Sequence, residues 1–163
     1  TIPLELSLVS TPDGPRLCWN PARELGVLHF ESYEFGSMTL RPGDANPLSY
    51  ARSELLKVRA AIEPKGDVAL NIRGVKIVYE TKSGDLGVND HHVKVPLVNG
   101  KLKLIVYCDR VGMEIFAADG LVYIPMAIVP KADDWSASIA AVNDPIEVSS
   151  LGVDELRSAW KGK

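Results

Sequence analysis

From Ile2 to Val9 (IPLELSLV) apolar residues recur at nearly every second position, the period of a strand with one face buried. The turn formers Thr11-Pro12-Asp13-Gly14-Pro15 follow, then a short strand through Arg16, Leu17, Cys18 and Trp19. Pro21 to Leu25 is the one candidate for a helical turn, ended by Gly26. Residues 29–40 alternate loosely, and the two prolines and one glycine of 41–52 predict the longest irregular loop. Short strands are predicted at 55–62, 68–72 and 75–79, separated by Pro64-Lys65-Gly66-Asp67 and by Arg73-Gly74. Beyond the Ser83-Gly84-Asp85 turn, Val93, Val95 and Leu97 share a face, and Asn99-Gly100 is a strong hairpin signal.

The most regular pattern comes next. A meander is predicted over 102–108, 113–116 and 121–129, joined by Asp109-Arg-Val-Gly112 and by Ala118-Asp119-Gly120. Asp first and Gly fourth suit a type I turn at the first junction. The stretch 121–129 is apolar on both faces, which predicts a place in the middle of a sandwich. Strands over 135–142 and 146–153 and a closing tail over 154–160 complete the set. Roughly ten or eleven short strands at spacings of about 8 to 12 residues, without a long helical period, indicate an all-β fold, a two-sheet antiparallel β-sandwich. The whole chain, 1–163, is expected to form this one domain.

Composition narrows the function. With 46% apolar and 24% charged residues the chain has an ordinary globular balance, able to bury a core. A net charge of −3 and scattered lysines offer no footprint for nucleic acid. The longest apolar run, LVYIPMAIVP, is about half of the roughly 20 residues that a membrane helix needs, so no membrane partner is expected. The opening at Thr1, without a signal-peptide pattern, reads as a fragment or a processed product. Cys18 and Cys108 both lie in apolar strand patterns and are expected to be buried free thiols.

Candidate chemistry is sparse. His91 and His92 point to opposite faces if extended, which argues against a shared metal, and His29 stands alone. No G-x-S-x-G turn, glycine-rich phosphate loop or metal-ligand spacing is present, so no cofactor and no metal are expected. Among 21 carboxylates, those inside apolar strands or at turns beside Arg are the ones to test: Glu31, Asp109 with Arg110, and Glu114.

The run Val106–Gly120 resembles a D-R-x-x-x-E-x-F-x-x-x-G stretch of the C-terminal β-sandwich in family 32 glycoside hydrolases, the levanases, inulinases and invertases. Ile2-Pro-Leu-Glu-Leu6, Pro15-Arg-Leu with Pro21-x-x-Glu-Leu25, Asn71-Ile-Arg-Gly74, Tyr123-x-Pro-Met126 and Glu155-Leu-Arg-Ser-Ala-Trp160 are similar to the same domain, in the same order. The resemblance implies a jelly-roll, concanavalin-like sandwich next to a five-bladed catalytic propeller. The family's catalytic motifs W-M-N-D-P-N-G, R-D-P and E-C are not present as a set. Asn143-Asp144-Pro145 echoes the first only as a turn, so no catalytic residue is expected in this chain.

Two roles follow from the resemblance: packing against the propeller, or binding terminal fructose units of levan or related fructans, as related carbohydrate-binding modules of family 66 do. A furanose end offers hydroxyls and little apolar face, so its pocket needs carboxylate acceptors, an Arg donor and one aromatic wall. Asp109 and Glu114 are the expected acceptors, with Glu31 a further one. Arg110 and Arg73 are the donors, and Tyr79 is the wall. Docking instead predicts an exposed apolar patch that includes Ile2, Leu4 or Trp160. The family further implies an extracellular or periplasmic setting.

Overall fold

A computed structural model describes residues 1–160. Among the described residues fourteen strands account for about 57% of the chain, with three short 3-10 turns and loops between them. β1 (Leu4–Thr11) and β2 (Gly14–Pro21) form an antiparallel ribbon. β3 (His29–Phe35), β4 (Met38–Leu40), β5 (Leu56–Glu63), β10 (Leu102–Cys108), β11 (Gly112–Ala117), β12 (Val122–Ala127) and β14 (Ile146–Leu156) make a seven-stranded sheet in the order β12-β11-β10-β5-β14-β3. The other edge of β14 is shared, since β4 pairs with its first residues and β3 with its last. β6 (Val68–Ile72), β7 (Val75–Glu80), β8 (Asp85–Val88), β9 (His91–Lys94) and β13 (Ala137–Ala141) make a five-stranded sheet, order β13-β6-β7-β8-β9.

The two sheets face each other as an antiparallel sandwich, because their period-two patterns each present one apolar face. Leu56, Val58, Ala60 and Ile62 of β5 and Leu102, Leu104, Val106 and Cys108 of β10 point inward from one sheet. Val68, Leu70 and Ile72 of β6 and Ile77 and Tyr79 of β7 meet them from the other. A second, smaller cluster lies outside this core. Tyr107 and Phe116, on the outer face of the seven-stranded sheet, are covered by Leu25 of the 3-10 turn Arg23–Leu28 and by Leu4 and Trp19 of the ribbon. Trp19 stacks on Tyr123 at 5.6 Å and Tyr123 on Phe116 at 5.0 Å, which seats the ribbon on the sheet.

Several local expectations change. The stretch 121–129 is not central: β12 is an edge strand with half-exposed side chains. Its apolar outer face serves the second cluster through Tyr123, not the sandwich core. The 41–52 loop holds a 3-10 turn, Pro47–Tyr50, whose first amide is capped by the Asn46 side chain. The tail from 154 continues as strand to Leu156, because its backbone pairs with both β3 and β5. Cys18 and Cys108 are both buried and unpaired, and burial pushes the Cys108 thiol up to about 11.

Candidate functional site

An open cleft of about 930 Å³ lies over the outer face of the seven-stranded sheet. Thr1–Pro3, the Asp109–Gly112 turn, Pro125–Ala127 and Leu156–Trp160 surround it, and Leu25, Leu28 and Tyr107 also line it. The lining is mainly apolar, and its polar groups are mostly those of the family-like stretch.

The turn is built by Asp109. Its Oδ1 accepts from the amides of Val111 (2.8 Å) and Gly112 (2.6 Å), closing the expected turn from its first residue. Arg110 is exposed and donates through Nε to Glu54 at 2.9 Å. Arg73 fixes the turn from behind. It is 4% exposed, in the left-handed region at φ 50°, and donates to the backbone carbonyls of Asp109 (2.7 Å), Glu54 (2.8 Å) and Asp134 (3.0 Å). Each acceptor belongs to a different loop, so one guanidinium ties three connections at this end of the sandwich.

Glu114 is 8% exposed, and both its oxygens are engaged. Oε1 accepts from the Ile2 amide at 2.6 Å and Oε2 from the Tyr123 hydroxyl at 2.5 Å. Burial and this carboxylate together raise the Tyr123 hydroxyl well above its ordinary value. Glu114 is thus an anchor for the first residues of the chain rather than a group presented to a ligand.

The structure brings Asp109 and Arg110 to one rim of the cleft, with Arg73 buried behind them, and places Glu114 in the lining nearby, but it does not bring the other two. Glu31 sits on β3, where Oε2 accepts from the Tyr33 hydroxyl at 2.6 Å, and that bond holds the Tyr33 phenol up. Tyr79 lies in the core on β7, 2% exposed, its hydroxyl 3.4 Å from the Val95 carbonyl. It is no wall for a bound sugar, because the inward parity of β7 buries it between the sheets.

A polar cluster escapes sequence reasoning. Asp154 on β14 is 1% exposed on the outer face, opposite Lys57 of β5. Its Oδ1 accepts from Ser32 (2.7 Å) and Arg59 (3.2 Å), while Lys57 and His29 each stand 3.6 Å from Oδ2. Arg59 also pairs with Glu34. Burial opposes ionisation of Asp154, but the Ser32 hydroxyl and the Arg59, His29 and Lys57 charges outweigh it and hold the carboxyl below its usual range. The hint in the sequence was Lys57 and Arg59 at alternate positions of LKVRAAIE. Their partner lies far along the chain and is reached only through the β5–β14 register. Among the described residues no group of three His, Cys, Asp or Glu side chains is arranged to hold a metal, and no helix is long and apolar enough to cross a membrane.

No family model matches the chain. The levanase of Bacillus subtilis (strain 168) is 25% identical over 185 aligned residues, covering 98% of this chain and 27% of the levanase, within its C-terminal part. Among solved structures, the exo-inulinase of Aspergillus awamori superposes with a TM-score of 0.82 at 17% identity, covering 98% of this chain and 36% of that one. The GH32 β-fructofuranosidase of Bombyx mori does so with a TM-score of 0.62 at 17% identity, over 99% and 34%. The chain therefore spans 27% to 36% of the length of these relatives.

Proposed function

We propose that this chain, a C-terminal β-sandwich domain of the family 32 glycoside hydrolases, is a non-catalytic accessory domain that docks against the catalytic domain of a fructan-splitting enzyme. The observation that carries this reading is that Thr1–Pro3 and Arg157–Trp160 line the same mainly apolar cleft. In a parent built like the levanase, whose C-terminal part this chain matches, the rest of the protein would precede β1, on the side of the Ile2–Pro3 segment that lines the cleft. Glu114 grips the Ile2 amide there and fixes the path of that segment. Val111 (71% exposed) and Trp160 (84% exposed) stand at the cleft as large apolar surface that such a partner would cover. Two of the candidate ligand groups, Glu114 and Arg73, have their hydrogen bonds inside the domain.

Mixing the purified chain with a separately made family 32 catalytic domain tests this. The melting temperature of the sandwich rises if the two dock, and Trp160→Ser diminishes the rise. Unchanged melting at concentrations well above micromolar refutes the reading.

A second reading, capture of a terminal fructose unit of levan or a related fructan, is favoured by the exposed rim. Asp109 Oδ2 makes no hydrogen bond among the described residues, and Arg110 engages Glu54 only through Nε. Calorimetry with levan and short fructans decides it, with Arg110→Ala as the control. Absence of both heat and retardation in affinity electrophoresis eliminates it. Either role fits an extracellular or periplasmic enzyme, since polymeric fructans are met outside the cytoplasm.

A further inference from the structure

The ribbon carries a separate surface. Its register sets Leu4 opposite Pro21, Leu6 opposite Trp19, Leu8 opposite Leu17 and Ser10 opposite Pro15. Neither proline has an N–H, so these are the non-hydrogen-bonded pairs of the ladder. The Ala22 amide bonded to the Pro3 carbonyl at 3.0 Å keeps the same phase. Glu5, Ser7 and Val9 therefore turn their backbone groups toward β2, while Leu4, Leu6, Leu8 and Ser10 turn theirs away. Among the described residues β1 pairs with β2 alone.

Natural sheets blunt such edges with Lys, Pro, a bulge or a covering segment. β2 is protected in this way. It begins next to Pro15 and ends at Pro21, and the 118–120 turn backs against it, so that a Cβ on Gly120 would come within 2.6 Å of the Trp19 carbonyl oxygen. β1 has no Lys, Pro or bulge over its eight residues, and its only charge, Glu5, is paired with Arg23. Its alternate leucines share one ribbon face with Leu17 and Trp19. Leu4 and Trp19 pack on the outer cluster, but Leu6 (55%), Leu8 (71%) and Leu17 (42%) remain exposed.

We propose that the β1 edge is a self-recognition surface, through which two copies of this chain pair antiparallel into a four-stranded sheet. A two-fold axis at Ser7 sets Leu6 of each copy opposite Leu8 of the other, and Leu4 opposite Ser10. Every outward N–H then meets an outward carbonyl. The exposed leucines of both ribbons become one continuous face. Growth stops at two copies because the far edge of each β2 is blocked. This surface is distinct from the cleft, so it stands whether or not the cleft docks a catalytic domain.

Sedimentation velocity of the chain, from roughly one to several hundred micromolar, should show a reversible dimer. Amide exchange should slow with concentration at Leu6 and Leu8 and stay slow throughout at Ser7 and Val9, which are already bonded to β2. Leu8→Lys keeps the ribbon ladder but sets like charges near the axis, and should weaken dimerisation by at least about tenfold without lowering the melting temperature. Leu6→Pro removes an outward N–H and should do the same; if it unfolds the ribbon, the amide pattern of the unaltered chain decides. A monomer at every concentration, a dimer indifferent to Leu8→Lys, or growth beyond two copies overturns the proposal.

Discussion

Replacing Glu114 by alanine removes the acceptor of two hydrogen bonds at once, from the Ile2 amide at 2.6 Å and from the Tyr123 hydroxyl at 2.5 Å. Hydrogen bonds to a charged group contribute about 1.5–3 kcal/mol each, and leaving partners unsatisfied adds to the loss. Glu114 is 8% exposed but Ile2 is only half-buried, so water replaces part of what the amide loses. The expected cost of Glu114→Ala is therefore about 3 kcal/mol, toward the lower end of the two-bond sum. Glu114→Gln retains an oxygen for Ile2 but offers Tyr123 an N–H in place of an acceptor, which should cost about 1 kcal/mol. Urea unfolding measures both. Trp19, stacked on Tyr123, makes tryptophan fluorescence a local reporter, and amide exchange of the first residues should accelerate in the alanine variant alone. A loss below about 0.5 kcal/mol for Glu114→Ala would refute the anchoring role, because that is the ordinary scale of a surface substitution.

Asp154→Asn should destabilise the chain by about 3 kcal/mol in the same assay, because it leaves Lys57 and Arg59 without their buried counter-charge; the double variant with Lys57→Met should recover part of the loss. Since the Asp154 pKa is depressed, its contribution is present above the unfolded value of about 3.9 and should fade as pH falls through the folded value, which acid titration of the melting temperature measures against Asp154→Asn. Arg73→Lys keeps the charge but not the fork that reaches three carbonyls, and should cost about 2 kcal/mol by chemical denaturation. The phenol of Tyr107 is pushed up to about 12 by burial, and that of Tyr123 is raised as well. Their stabilisation is complete below the unfolded value of about 10 and is lost as pH rises toward the folded values, so melting temperature should fall above about pH 10, with delayed phenolate absorbance.

Much of this molecule was legible one residue at a time. The alternation of β5, β6 and β10, the Asp109–Gly112 turn and the burial of both cysteines depend on neighbours within a few positions, where strand period and turn chemistry act. β1 has the same period in sequence, yet Leu6 and Leu8 on its apolar face are exposed. The same period could not say which strand lies beside which. LVYIPMAIVP reads as a central strand, yet β12 is an edge strand paired with β11 alone. It is apolar on both faces because Val122, Ile124 and Met126 pack on the sandwich core while Tyr123 meets the ribbon. Glu114 reads as a sugar acceptor from its motif, and only folding brings the Ile2 amide, 112 positions away, to its oxygen. Tyr79 and Glu31 had the right chemistry on the wrong elements, one inside the core and one on a separate strand. Local pattern determines the strand and its faces because side-chain parity is a property of each segment. Tertiary structure decides the partners, since pairing, register and burial arise between segments far apart in the chain, and those determine whether a carboxylate meets solvent, a ligand or the domain's own backbone.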